Sequence, residues 1–213
     1  MIRYPYIYNQ VLQVYRGMDS ISFPICTCDI LAQLPNCRAL TYQEFASINQ
    51  CTVRDVIILC ESKSGCTHYD IANDRYLILW NEDCADNNVD GRRLWTKAHE
   101  LGHVILKHLP LVAEPMLAEN GFNNLTAPEF EAEADQFAAT LLCPMPLYET
   151  LGIESPSDIK RVFGLSKEAS EHRWSEYVKW TRYHRKTAWE NDMRRVYLQK
   201  RMRLLSSKHG DRK

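Results

Sequence analysis

The sequence lacks any apolar run long enough to cross a bilayer. Its longest uninterrupted apolar runs cover residues 56–60 and 77–80, whereas a membrane-spanning helix needs about 20 consecutive apolar residues. Residues 1–5 also lack the apolar stretch that is typical of a signal peptide. From these absences we expect a cytoplasmic protein with no membrane partner.

The cysteines of the sequence include no Cys-x-x-Cys pair, the arrangement typical of zinc-binding cysteines. Cys26 and Cys28 are separated by a single residue, which is too close for the usual zinc spacing. An even total of eight can indicate disulfides in a secreted protein, but a chain of 213 residues can build a core that folds without them. We therefore expect reduced thiols and no zinc site made of cysteines.

The chain carries almost no net charge, but its charges are unevenly distributed. The formal charge is −1, yet residues 180–213 contain 11 Lys or Arg against 3 Asp or Glu, a local charge of +8. Such a tail can dock on an acidic surface, contact an acidic partner or nucleic acid, or be a solvated helix that frays. The sequence leaves these alternatives open, and it predicts a long basic helix over residues 187–208.

What the sequence does contain is a His-Glu-x-x-His motif formed by His99, Glu100 and His103. Helical spacing of apolar residues and the block at Pro110 predict a helix over residues 92–108. Histidines four positions apart lie on one helix face, so both can bind one tetrahedral Zn²⁺. The offset of Glu100 would bring its carboxylate to the attacking water rather than to the metal, as a general base requires.

A second predicted helix, residues 128–142, offers the third protein ligand that a catalytic zinc needs. Glu131 continues its apolar face, and Asp135 lies one turn further on the same side. We expect Glu131 to bind the metal and Asp135 to hold a ligating histidine by a hydrogen bond. Glu133 points about 200° away from Glu131 and is predicted to face solvent. The alternatives are that Glu133 is the ligand, or that these carboxylates only stabilise the helix N-terminus.

Other residues near the motif have weaker assignments. Gly102 is costly within a helix, by roughly 0.8–1.0 kcal/mol relative to Ala, and therefore indicates close packing of a strand or a substrate. Four other histidines are interpreted as surface residues rather than ligands: His68, His108, His184 and His209. Three side chains are candidates for stabilising the oxyanion of the reaction: Tyr148, His172 and Tyr183.

The order of predicted elements indicates an α+β fold. Helices are predicted over residues 5–17 and 42–48, and strands over residues 55–60, 66–70 and 75–81. This would place a small antiparallel or mixed sheet directly before the motif helix, and an exposed strand edge there could hold an extended peptide. We expect a metallopeptidase domain over residues 1–150 and a helical subdomain with a basic tail over residues 151–213.

Residues 155–180 are predicted to form two helices joined by a turn at Gly164, an arrangement that resembles a helix-turn-helix. The second of these helices carries Glu168, Glu171 and Glu176, which would be repelled by the phosphates of DNA. We therefore favour a helical subdomain that packs on the peptidase core, and we do not expect direct nucleic-acid binding.

Three segments together resemble the ImmA/IrrE family of metallopeptidases: residues 99–103, His-Glu-Leu-Gly-His; residues 131–138, Glu-Ala-Glu-Ala-Asp-Gln-Phe-Ala; and residues 141–144, Leu-Leu-Cys-Pro. The resemblance covers about residues 50–180 and implies a minimal gluzincin-like core. It implies that Zn²⁺ is held by His99, His103 and a glutamate, which we place at Glu131, with Glu100 as general base. Cys143 stands where the family often has Met.

By the same resemblance we expect a protein substrate. Family members cleave repressors that carry helix-turn-helix DNA-binding domains, often encoded on phages or mobile elements. We therefore predict a zinc-dependent endopeptidase that derepresses mobile-element, phage or stress genes. Neither the oligomeric state nor a choice between Zn²⁺ and Mn²⁺ follows from the sequence. The alternative is a non-enzymatic DNA- or protein-binding regulator that keeps a structural zinc site.

Overall fold

Four strands form one mixed sheet in the computed structural model, which describes residues 1–83, 90–111, 116–118, 128–183 and 187–210. The strands are β1 (Cys37–Thr41), β2 (Gly65–Asp70), β3 (Arg75–Trp80) and β4 (Met116–Ala118). Their order is β1-β3-β2-β4, with β1 parallel to β3 and the other neighbours antiparallel. Among the described residues, β4 is therefore the strand at the edge next to β2.

The helices of the described residues outnumber the strands, and together they give the α+β fold that the sequence predicts. They are α1 (Tyr4–Gly17), α2 (Thr27–Leu31), α3 (Tyr42–Ile48), α4 (Val53–Leu59), α5 (Asp90–Ile105), α6 (Pro128–Leu142), α7 (Tyr148–Leu151), α8 (Pro156–Phe163), α9 (Lys167–Tyr183) and α10 (Ala188–Gly210). In this part of the chain, no helix has both the length and the apolar character needed to cross a bilayer.

Both faces of the sheet are covered. Side chains alternate across a strand, so Ile78 of β3 joins the main core while its neighbour Leu79 joins a smaller cluster with α3 and α4. Thr67 of β2 pairs with Ile78 and therefore lies on the same face. That face is turned towards α5, because the Thr67 hydroxyl reaches Glu100.

Helices α5 and α6 pack closely at Gly102. A Cβ atom on Gly102 would lie 3.1 Å from Cδ1 of Phe137 and 3.2 Å from Cα of Ala134. These distances are tighter than ordinary van der Waals contact, so only glycine allows the two backbones to approach this far. The close packing that the glycine predicted is real, but its cause is a second helix rather than a strand or a substrate.

Helix α1 covers the opposite side of α6. Its predicted apolar face, which includes Ile7 and Val11, is buried in the main core. The hydroxyl of Tyr15 donates a hydrogen bond of 2.6 Å to the backbone oxygen of Leu141 near the end of α6. Helix α6 therefore lies between α5 and α1 and has little surface facing solvent, as the burial of eight of its residues shows.

The prediction of a strand over residues 55–60 is wrong, because this segment is helix α4. Its N-terminus is closed by a capping box, in which Asp55 N donates to Thr52 Oγ1 and Thr52 N donates to the Asp55 carboxylate. The run of β-branched residues favoured a strand in the sequence, but this local pair of hydrogen bonds favours a helix. Ile58 and Leu59 consequently lie exposed rather than within a sheet.

The other predicted elements are found close to their expected positions. Helices occur at residues 4–17, 42–48 and 128–142, and the two strands before the motif helix are present. The motif helix begins at Asp90 and ends at Ile105, slightly earlier than predicted. The sequence did not predict α2 or β1. Seven cysteines are free thiols, and Cys84 lies outside the described residues.

The basic tail docks on the rest of the protein along its first half. Trp189 of α10 stacks on Tyr8 of α1 with ring centroids 4.5 Å apart, and its indole N–H donates to the backbone oxygen of Tyr8. Met193 and Val196 are buried in the main core, together with Phe163 of α8. Of the alternatives left open by the sequence, this part of the tail therefore docks on the body of the protein. The domain boundary near residue 150 stays a prediction.

Candidate metal centre

Helices α5 and α6 bring the three predicted metal ligands together. The Nε2 atoms of His99 and His103 lie 3.1 Å apart. Glu131 places Oε2 at 3.2 Å from His99 Nε2 and Oε1 at 3.5 Å from His103 Nε2. Both histidines are buried, whereas the Glu131 side chain is 26% exposed. The three residues therefore form a pocket of nitrogen and oxygen donors that is reached from the Glu131 side.

The spacing of these donors fits a small tetrahedral cation. Two ligands at 2.0–2.1 Å from a tetrahedral zinc ion are separated by about 3.3 Å, and the separations here are 3.1, 3.2 and 3.5 Å. The Oε1 atom of Glu131 is buried and accepts no hydrogen bond from the described residues. A buried carboxylate oxygen without a donor is costly unless a cation compensates it. These three residues thus form a potential metal site.

Asp135 holds the first histidine from the side away from the donors. Its Oδ1 atom lies 3.0 Å from Nδ1 of His99. This contact leaves Nε2 of His99 directed at the other two donors, as expected for a metal ligand held by an outer carboxylate. The Asp135 side chain is 58% exposed, so water can also reach this contact. The predicted role of Asp135 therefore has matching geometry and stays a prediction.

Glu100 is fully buried and is not one of the three grouped donors. The Thr67 hydroxyl of β2 donates a hydrogen bond of 2.6 Å to its Oε2 atom. Gly65 makes room for the same carboxylate, because a Cβ atom there would lie 3.1 Å from Glu100 Oε1 and 2.8 Å from Thr96 Cγ2. Glu100 is thus held between the motif helix and β2, separately from the metal donors.

Residues 64–175 match the family model described as the IrrE N-terminal-like domain, a peptidase family. The match covers more than half of the 213 residues. The chain belongs to this family. A search of curated proteins found no match. The family supports a metallopeptidase role in general, and the resemblance to ImmA/IrrE peptidases found in the sequence is confirmed.

The matched residues include the sheet strands β2 and β3 and the helices α5, α6 and α8, with the first half of α9. The two helices that resemble a helix-turn-helix therefore lie largely within the residues that match the family, and the predicted division at residue 150 stays a prediction. Helices α1 and α10 lie outside the match. Two further buried residues, His108 next to His103 and Glu133 next to His108, connect the matched region to α1.

The prediction that His108 is a surface residue is wrong. His108 is fully buried, because Lys107 adopts a left-handed conformation with φ of 56° and turns the chain back after α5. The His108 N–H then donates to the backbone oxygen of His103 at 3.0 Å. The imidazole stacks on Phe130 with ring centroids 4.6 Å apart. Helical periodicity could not place His108, because it lies beyond the end of the helix.

Glu133 was predicted to face solvent, and this prediction is also wrong. Glu133 is buried and forms an ion pair with Arg3, at the N-terminal end of α1. Arg3 donates from its backbone N at 2.8 Å, from Nε at 2.9 Å and from Nη2 at 2.5 Å. The helical wheel assumed that α6 has one buried side, whereas α5 and α1 bury two opposite sides. No sequence signal identified this pair of residues, which are 130 positions apart.

The electrostatics of these groups suit neutral imidazoles beside an ionised carboxylate. Burial by itself would raise the pKa of Glu133, but hydrogen bonds from Arg3 and His108 lower it to about 2. Burial lowers the pKa of His108 to about 4, against the opposing effect of Glu133. Burial, with smaller contributions from the neighbouring histidines, lowers the pKa of His103 well below its usual range. At neutral pH both rings are therefore uncharged, which is the form that binds metal ions.

A cleft of about 530 Å³ borders the centre between α5, α6 and α9. Asp135 and His172 of α9 are both among the residues that line it. Of the three oxyanion candidates, His172 is thus the one that shares a cleft with a residue of the centre. Tyr148 is buried in the core with its hydroxyl 2.9 Å from Cys143 Sγ, and Tyr183 is largely exposed.

Proposed function

We propose that the protein is a zinc-dependent endopeptidase. The observation that carries this proposal is the convergence of one donor atom each from His99 and His103 with the carboxylate of Glu131, at separations of 3.1 to 3.5 Å. Two neutral imidazoles and one carboxylate are a ligand set of catalytic zinc sites, which keep a fourth position for water or substrate. The exposed edge of Glu131 is the side from which a peptide would reach the centre.

In this proposal each residue has a separate task. When bound, the zinc ion would polarise the scissile carbonyl and make water more acidic. Glu100 accepts the proton that the attacking water loses and delivers it to the leaving amine. The hydrogen bond from Thr67 keeps the Glu100 carboxylate in one orientation during both transfers. Asp135 keeps His99 in the tautomer that has a free lone pair on Nε2.

The substrate that we propose is a repressor with a helix-turn-helix DNA-binding domain. The resemblance to ImmA/IrrE peptidases supports this class of substrate. Two structural features support binding of an extended segment of a protein: the strand edge at β4, which can add a strand by main-chain hydrogen bonds, and the cleft beside Asp135. Side chains of the substrate next to the scissile bond would enter that cleft.

The test is to incubate the purified protein with the repressor encoded next to its gene, with and without a chelator. Mass mapping of the products would then identify the cleavage site. We expect cleavage that the chelator stops and that added Zn²⁺ restores, and the same assay with Mn²⁺ would decide between the two metals.

The Glu100→Gln variant separates metal binding from proton transfer. We expect it to bind zinc as the unchanged protein does and to cleave nothing, since the amide cannot accept the proton. Full activity in this variant would contradict the mechanism. Binding of duplex DNA with no cleavage, unaffected by chelator, would instead favour the non-enzymatic regulator.

A further inference from the structure

A continuous line of polar contacts runs from His103 to α1. The Nδ1 atom of His103, on the side away from the metal donors, lies 3.0 Å from Nδ1 of His108. The other nitrogen of His108, Nε2, lies 3.1 Å from Oε2 of Glu133. Glu133 in turn accepts hydrogen bonds from three donor atoms of Arg3: the backbone N, Nε and Nη2. Every link in this line lies within hydrogen-bond distance.

Only one arrangement of protons satisfies the whole line when His103 binds a metal through Nε2. The ligating nitrogen carries no proton, so Nδ1 of His103 must carry one and donate it to His108. His108 then accepts at Nδ1 and must donate from Nε2, and the acceptor there is the carboxylate of Glu133. Arg3, which can only donate, completes the line. The metal ion therefore determines the tautomer of His103, and His103 together with Glu133 determines the tautomer of His108. The line ends at the Arg3 side chain, which has donors and no acceptor.

We propose that His108, Glu133 and Arg3 are positioning residues of the metal centre, which hold the His103 ring with Nε2 towards the metal ion. This inference rests on the proposed function, since it takes His103 to be a metal ligand. It adds a contribution from α1, which lies outside the residues that match the family. The N-terminal helix would thus contribute to metal affinity through Arg3, without touching the metal.

The burial of the line makes this contribution large. His103, His108 and Glu133 are all buried, so water cannot take the place of a missing partner. A ring nitrogen of His103 without an acceptor would leave the imidazole free to rotate or to change tautomer. Mutation of such outer partners typically weakens metal affinity by about 10- to 100-fold. We expect losses in this range for changes at any of the three positions.

The experiment measures Zn²⁺ affinity by competition with a chromophoric chelator, on protein freed of metal. His108→Phe removes both ring nitrogens but keeps the stacking on Phe130, and Glu133→Gln removes the charge at almost constant shape. Arg3→Met removes the guanidinium donors from a side chain that is 40% exposed and leaves the backbone N–H of residue 3 in place. We expect each variant to bind Zn²⁺ about 10- to 100-fold more weakly than the unchanged protein.

Two matched controls carry the same chemical changes at neighbouring positions. Arg16→Met changes an arginine near the other end of α1, also 40% exposed, which pairs with Asp192 at 3.9 Å. Glu129→Gln changes an exposed glutamate in the first turn of α6 that pairs with the N-terminal amine. Both controls should bind Zn²⁺ within about twofold of the unchanged protein, since neither residue contacts the line.

The outcomes separate this inference from the proposed function. If the unchanged protein bound no Zn²⁺, the proposed function would fail. If it bound Zn²⁺ and the three variants bound it equally well, only the positioning role would fail. A purely structural role would lower the melting temperature of the metal-free protein without weakening Zn²⁺ binding. Should His108→Phe not fold, Arg3→Met still decides, because its side chain is only partly buried at the edge of the protein.

Discussion

The two histidines of the motif are supported in different ways. The Nδ1 atom of His99 contacts Asp135, a carboxylate that is more than half exposed and lies on the neighbouring helix. His103 contacts a line of three residues that begins beyond the end of α5 and reaches α1, and the first two of them, His108 and Glu133, are buried. The difference shows that two histidines one helical turn apart can contact very different parts of the chain.

The largest effect should come from removing either of the histidines that we propose as ligands. We expect His99→Ala and His103→Ala each to weaken Zn²⁺ binding by more than about 100-fold, because the loss of a ligand exceeds the loss of its outer partner. Competition with a chelator would measure this. If one of the two variants kept its affinity, the corresponding histidine would not be a ligand and the comparison between the two would lose its basis.

The second-largest effects should come from the carboxylates next to the two histidines, and they should differ between His99 and His103. Asp135→Asn and Glu133→Gln make the same chemical change, a carboxylate to an amide, on the same helix. We expect a loss of Zn²⁺ affinity of about 10-fold for Asp135→Asn and nearer 100-fold for Glu133→Gln. Water can take the place of the exposed Asp135 carboxylate as the acceptor for His99. The Glu133 carboxylate, which accepts from His108, is buried, so water cannot take its place. Equal losses in the two variants would show that burial does not distinguish the supports.

A change at Gly102 should affect both histidines together. In Gly102→Ala the new methyl group meets Phe137 and Ala134, and overpacking of this kind costs about 1–3 kcal/mol. Helix α6 must move away from α5, which separates Glu131 from both histidines. We expect a lower melting temperature with weaker Zn²⁺ binding. Ser175→Ala, in an exposed part of α9, is the control that should leave both unchanged.

The smallest effect should come from a helix that does not contribute to the centre. Thr52→Ala removes the capping box of α4, and the loss of such a cap costs about 1 kcal/mol of stability. We expect a small decrease in melting temperature with no change in Zn²⁺ affinity. A clear loss of affinity would mean that α4 supports the sheet strand that holds Glu100 more strongly than the structure suggests.

The same capping box has a defined pH dependence. Hydrogen bonds from the side chain and backbone of Thr52 lower the pKa of Asp55 below its ordinary value. The stability that Asp55 contributes is therefore present above the unfolded pKa and is lost as the pH falls through the lowered folded pKa. The difference in melting temperature between Thr52→Ala and the unchanged protein should accordingly shrink in acid. An equal difference at every pH would contradict this account.

Much of the centre was predictable because it depends on spacing within single helices. His99 and His103 share a face because they are four residues apart, and Glu131 and Asp135 share a face for the same reason. Helix ends were also predictable where a local signal was recognised, as at Thr41, whose capping box with Glu44 closes the start of α3. The same signal at Thr52 was outweighed by the β-branched run, and α4 was mistaken for a strand.

By itself, the sequence determined the motif, the helix faces that His99, His103 and Glu131 share and the family to which the chain belongs, because these follow from residue types at fixed helical offsets. Only the tertiary structure decided that α6 is buried on two sides and that the chain turns back after α5. Those two facts bring His108, Glu133 and Arg3 together. Their contacts join positions 3, 108 and 133, and no periodicity within one element can specify a meeting between three separate segments.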